Sequence, residues 1–213
     1  MSVRIESNVL NVFNPATGKD VGTIPISTIN EMNVIFTASK KAAVDYNISS
    51  LHYRGRLITK FRKQMVARMD DFIQIICDET GKKSEEAVTE IFTSVEHMKQ
   101  AVKLSKVALS PERRRTGLLK TKKATVVYEP MGVAGIISPW NYPLILTVTP
   151  LIEALLAGNT VVLKPSEQTP LTVKLLKEVW DDATNVVDIF QVVYGAGEVG
   201  HHLVTTSETD VIC

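Results

Sequence analysis

Three short stretches place polar side chains where they could do chemistry. The first is Ser138-Pro139-Trp140-Asn141, which sets a bare amide between Trp140 and Tyr142. It follows a β-leaning apolar run and precedes a helix-like one. An amide in such a corner can donate a hydrogen bond to an oxygen that gains negative charge. It can also cap the next helix. If Pro143 is the first helical residue, the cap falls on Tyr142 and Asn141 lies one residue outside. The second stretch is Lys164-Pro165-Ser166-Glu167. Its cation and carboxylate, three residues apart, could grip a ribose, with the lysine donating to one hydroxyl and the glutamate accepting from another. An exposed loop ion pair, worth under about 1 kcal/mol, is the plainer alternative. The third is Gly195-Ala196-Gly197-Glu198-Val199-Gly200, a G-x-G-x-x-G that follows a strand-like run and can open a helix. A helix N-terminus favours phosphate. No strand ending in an acidic residue follows about twenty residues later, so this stretch supports a nucleotide cleft rather than a Rossmann pyrophosphate loop.

The elements that would carry these corners are readable from periodicity. Val9–Phe13 and Val21–Ile26 predict two short strands with turn residues between them. Thr28 and Glu31 form a capping box for a helix reaching Tyr46. Apolar residues recur at helical spacing from Arg54 to Ile76, with Asp70-Asp71 as a dividing point, and again from Ser84 to Ala108. These stripes are read as core. Pro111 ends the helical part, and a basic stretch follows with Arg113, Arg114, Arg115, Lys120, Lys122 and Lys123. Strands and helices then alternate: Thr125–Tyr128, Gly132–Ile137, a helix Pro143–Ala157, Thr160–Leu163, a helix Pro170–Trp180 with Thr169 as N-cap, Val186–Val193, a helix Glu198–Val204, and the start of a strand at Asp210–Cys213. Alternation of this kind predicts a doubly wound parallel sheet, whose ligands bind beyond the carboxyl ends of its strands. The fold class is therefore α/β: an N-terminal helical segment, a small β-hairpin and a partial doubly wound sheet. Residues 1–110 are expected to pack on the cofactor-binding part, 111–130 to form the basic hairpin, and 131–213 to form the nucleotide-binding β/α portion.

Composition narrows the function classes. At 45% hydrophobic and 22% charged residues, the chain can bury a core. A net charge of +1 gives no global attraction to nucleic acid, and the basic stretch lacks the interleaved aromatics of a nucleic-acid surface. The start, MSVRIESNVL, has no signal-peptide h-region, and Leu144–Ala157 is too short and too interrupted to span a bilayer. Cys77 and Cys213 give neither a disulfide framework nor metal-ligand spacing, so no metal site is expected and a reducing cytoplasmic setting is.

The stretch YEPMGVAGIISPWNYPLILTVTPLIEALLAGNTVVLKPSEQTP, Tyr128 to Pro170, resembles the aldehyde dehydrogenase family. The opening NVFNPATGKDVGTIP and the segment ETGKKSEEA are similar to that family's N-terminal half. The resemblance implies an NAD(P)-dependent oxidation of an aldehyde to a carboxylic acid. It implies that the side-chain amide of Asn141 stabilises the oxyanion of a thiohemiacetal. It implies that Lys164 and Glu167 contact the adenosine ribose, with Ser166 beside them, that Ser138, Pro139 and Trp140 line the cofactor's path, and that Gly197 lies near the pyrophosphate or adenine end. Glu167 favours NAD over NADP, since it would face a 2′-phosphate. The family's nucleophilic cysteine lies in a G-G-x-x-C-type motif and its base in an E-L-G-G-type motif, and neither occurs in the 213 residues. Cys77 is expected in the core, and Cys213 lies in no nucleophile motif. The chain alone is therefore expected not to oxidise aldehydes. Two readings stand side by side: the N-terminal portion of an aldehyde dehydrogenase, whose family forms homo-oligomers through a hairpin that Leu118–Tyr128 resembles, and a non-catalytic protein, either a truncated product or a nucleotide-binding or interaction module that associates with intact relatives.

Overall fold

The computed structural model describes residues 3–118 and 121–213. The N-terminal strands β1 (Val3–Glu6), β2 (Val9–Phe13) and β3 (Asp20–Pro25) form an antiparallel sheet in chain order. The sequence predicts only the last two. β1 pairs with β2 through a two-residue turn in which Ser7 and Asn8 both have positive φ, 50° and 63°. This is the backbone shape that suits the twist of a hairpin.

Helix α1 (Ile29–Asn47) opens on the expected capping box, with Glu31 N–H donating to Thr28 Oγ1 and Thr28 N–H donating to Glu31 Oε2. The next periodic stretch forms two helices, α2 (Leu51–Ala67) and α3 (Met69–Thr80). The break falls at Arg68 rather than at Asp70-Asp71, because both aspartates suit the first turn of α3, where they face the positive end of its dipole. Helix α4 spans Ser84–Ala108, as its periodicity predicts. The basic hairpin pairs β4 (Glu112–Arg114) with β5 (Ala124–Val126). The second strand starts one residue earlier than predicted and ends at Val126, beyond which Tyr128 donates its hydroxyl to Glu112. Lys120 of the basic stretch lies outside the described residues.

The second half alternates as expected: β6 (Val133–Ile137), α5 (Ile145–Ala157), β7 (Thr160–Lys164), α6 (Pro170–Thr184), β8 (Phe190–Val192), α7 (Gly197–Thr205) and β9 (Val211–Ile212). These strands form one parallel sheet in the order β8-β7-β6-β9. Successive side chains serve opposite faces. Ala134, Ile136, Val161, Leu163, Phe190 and Val192 join α2, α5 and α6 in the larger core. Val133, Val162 and Val193 meet Met32 and Phe36 of α1 and Val199 and Leu203 of α7 on the other side. Because both faces are covered, β7 reads as a continuous buried run rather than an alternating one. At the centre of the larger core, Trp180 stands edge-on to Phe61 and Phe190 at 5.3 and 6.1 Å and donates its indole N–H to the Val186 carbonyl.

Candidate functional site

The chain lays down β6, β7 and β8 in one direction and then returns to the far side of β6 with β9. That reversal is a topological switch point, and open sheets bind ligands beyond the carboxyl ends of their strands at such points. All three chemical corners stand there. The Ser138 N–H donates to the Lys164 carbonyl at 3.1 Å, which joins the first corner to the second. The Lys164 stem runs over Gly200, where a Cβ would stand 3.3 Å from its Cδ, and this joins the second corner to the third.

Within the first corner, Ser138 is buried and its hydroxyl has no hydrogen-bond partner among the described residues. Pro139 and Asn141 are exposed, as are Trp140 and Tyr142. Asn141 is not a helix cap. Helix α5 begins at Ile145 with Leu144 at its cap position, and its first amides donate instead to Glu90 of α4: Leu144 N–H at 2.8 Å and Ile145 N–H at 3.2 Å. The Asn141 carbonyl accepts from Lys82 at 2.6 Å, and its side-chain amide makes no hydrogen bond among the described residues.

The second corner is not an exposed ion pair. Lys164 is 4% exposed, with its Nζ donating to the Pro165 carbonyl at 2.9 Å and standing 3.6 Å from Glu167 Oε2. Burial lowers its ammonium below the usual lysine range, and the Glu167 carboxylate partly restores it. The ammonium can direct three donors, so it retains capacity for a further acceptor. Ser166 is buried and its hydroxyl accepts from the Gln168 N–H at 3.3 Å. Thr169 takes the cap position of α6 as predicted, yet its hydroxyl bonds nothing among the described residues. Glu79, at the end of α3, performs the capping, accepting from the N–H groups of Leu171 and Thr172 and from the Thr172 hydroxyl at 2.6–2.7 Å.

In the third corner, Gly197 opens α7 with nothing within 4 Å of the place a Cβ would take. Gly195 has φ +155° and a Cβ there would meet Val199 at 2.4 Å, so the turn before α7 requires glycine. The arrangement offers an open helix N-terminus, a buried ammonium with spare donor capacity, a neighbouring carboxylate and an unpartnered buried hydroxyl. Together they suit a molecule carrying hydroxyls and phosphates. Cys77 is partly buried against the core, and burial together with Asp78, Glu85 and Glu86 pushes its thiol up, away from the thiolate a nucleophile needs. The residues that sequence reasoning misses are Lys82, Glu90 and Glu79. All three lie in the ETGKKSEEA segment, which Glu79 opens, or just after it, and a charge without a local partner there is the one available signal.

A parallel sheet covered on both faces, with an N-terminal helix on one of them, defines a doubly wound α/β protein. Residues 3–213 match the Aldehyde dehydrogenase family, and the chain belongs to that family. It is 36% identical over 188 residues to a putative succinate-semialdehyde dehydrogenase [NADP(+)] of Mycolicibacterium smegmatis, a match covering 86% of this chain and 35% of the relative. It is 31% identical to the malonate-semialdehyde dehydrogenase of Lacticaseibacillus casei, covering 89% of this chain and 38% of that one. Among solved structures, NADP-dependent glyceraldehyde-3-phosphate dehydrogenase from Bacillus halodurans C-125 complexed with NADP superposes with a TM-score of 0.90 at 30% identity, over 97% of this chain and 44% of that one. The chain thus spans a little over a third of the length of these curated relatives. Among the described residues no helix is long and apolar enough to cross a membrane.

Proposed function

We propose that the chain supplies the cofactor crevice and the oxyanion-stabilising amide of an NAD(P)-dependent aldehyde dehydrogenase, which oxidises an aldehyde to a carboxylic acid. The convergence of the three corners at one end of the sheet supports this reading most directly: Ser138 is bonded to Lys164, and Lys164 lies over Gly200. The residues fit a dinucleotide. Lys164 and Glu167 would hold the adenosine ribose, Ser138 would offer its free hydroxyl, Pro139 and Trp140 would line the path, and Gly197 would admit phosphate to the start of α7. Ser166 fixes the bend of the Lys164–Glu167 corner. The cofactor, when bound, supplies the acceptor for hydride. The task of Asn141 is to donate its amide N–H to the oxygen that gains charge as the aldehyde carbon is attacked, a contribution typically worth about 10²–10³ in rate. The attacking thiolate and the water-activating carboxylate of the family lie in motifs these 213 residues do not carry, and turnover requires them. The exposed Arg113–Arg115 hairpin serves as a contact surface between subunits, and the free Cys77 and Cys213 suit a reducing cytoplasm.

Titration calorimetry with NAD and NADP tests the crevice. NAD should bind saturably and more tightly than NADP, because the Glu167 carboxylate repels a 2′-phosphate. The Lys164→Ala/Glu167→Ala variant should weaken NAD by at least about tenfold, through loss of charge-assisted hydrogen bonds. No binding to a folded sample, or binding unchanged in the double variant, would overturn the reading.

A further inference from the structure

Lys82 lies in the short loop between α3 and α4, just after Gly81, whose left-handed backbone ends α3. A Cβ on Gly81 would stand 3.2 Å from Pro15, so this loop is seated against the N-terminal strands. From there the Lys82 ammonium donates to the Asn141 carbonyl at 2.6 Å, pairs with Glu90 Oε2 at 3.2 Å and stands 3.9 Å from the centre of the Tyr142 ring. Its donors are thereby spent on one carbonyl, one carboxylate and one aromatic face. The Glu90 side chain is wholly buried, at 0% exposure. Its Oε2 takes the ammonium, and its Oε1 accepts from the amides of Leu144 and Ile145. Between them, the two side chains hold Asn141, Tyr142, Leu144 and Ile145, which is every residue from the amide to the first turn of α5 apart from a proline.

The Pro143–Leu144 end of this turn is anchored in the core, where Thr147 also donates its hydroxyl to the Pro143 carbonyl, but the Trp140–Tyr142 end is not. Trp140 and Tyr142 are 55% and 50% exposed, and the helix that follows has no side-chain cap of its own. A hydrogen-bond donor aimed at developing charge must be held to about half an ångström to be useful. We infer that Lys82 and Glu90 are positioning residues that lock the backbone carrying Asn141, so that its unpartnered amide presents in one orientation. The inference rests on the proposed oxyanion role of Asn141, but its structural content can be measured without cofactor or turnover.

The test uses Lys82→Met, which keeps the aliphatic stem, and Lys82→Arg, which keeps the charge. Hydrogen exchange and NMR are recorded on the whole chain. In Lys82→Met the amides of Leu144 and Ile145 should exchange about tenfold faster, as in a local opening, and the Asn141 side-chain NH₂ resonances should lose the separation that one fixed orientation gives them. The urea midpoint of the whole protein should fall as well, because the buried Glu90 carboxylate loses its cation, but the chain should stay folded without urea. Lys82→Arg should restore the slow exchange. The inference is overturned if exchange at these two amides is unchanged in Lys82→Met, if Lys82→Arg behaves like Lys82→Met, or if Lys82→Met unfolds the chain, since that would make Lys82 a determinant of the whole fold. Cofactor titration of the unaltered chain is read separately: its failure removes the functional reading and leaves the exchange result standing.

Discussion

Glu79→Ala should destabilise the protein by about 2–4 kcal/mol, seen as a lowered urea midpoint. The Glu79 carboxylate, 1% exposed, is the only cap of α6 seen among the described residues, and its removal leaves two helix amides and the Thr172 hydroxyl buried without their acceptor. The same residue should give a pH signature. Burial pushes its carboxyl up to about 7, against the pull of the bonds from Thr172 and Leu171. The folded value thus lies above the unfolded value of 4.5. Between the two, the unfolded chain has released a proton that the folded chain still holds. The contribution to stability is therefore full below the unfolded value and falls as pH rises toward 7. Urea midpoints at pH 5 and pH 8 check this. The unaltered protein should lose more stability across that interval than Glu79→Gln, and parallel profiles would remove Glu79 as the source.

Trp180→Ala should cost about 3–5 kcal/mol, the range for deleting a large buried aromatic side chain. Trp180 is fully buried and fills the space between α2, β8 and its own helix, touching Phe61 and Phe190. Trp180→Phe should recover much of the loss but not the bond to the Val186 carbonyl. Thermal unfolding measures the cost, and fluorescence gives a second check. The remaining tryptophan, Trp140, is 55% exposed, so the emission of Trp180→Ala should move to longer wavelength. A midpoint within one or two degrees of the unaltered protein would show that the cavity closes, since about 1 kcal/mol moves the midpoint by a few degrees in a chain of this size.

What was legible in the sequence is what is local. The Thr28 and Glu31 box, the stripe of α4 and the alternation after Ala124 each write their pattern within a few residues, and the structure follows them. The three chemical corners were legible because each comes straight after a strand of a parallel sheet. The supports of those corners were not. Glu79 meets Leu171 across 92 positions, Glu90 meets Leu144 across 54, and Lys82 meets Asn141 across 59. Thr169 shows why this matters. Its residue type and the following Pro170 announce a local cap, but a carboxylate from another helix occupies that role, and tertiary contact overrides local preference. β1 escapes for a different reason: Val-Arg-Ile-Glu is only four residues long with three of them exposed, and its partner strand is what defines it.

The two borrowed caps also bear on how the chain comes to its final form. Helices α5 and α6 follow the first two corners, and both complete their first turns with carboxylates carried by α4 and α3. A helix with unfilled amides at its start nucleates poorly by itself. The order of events should therefore be set by distant encounters: the α3–α4 layer must meet the β/α layer before either of these helices is finished. Folding should then proceed slowly and in one step for both layers, with the three corners appearing together with the helical layer rather than ahead of it.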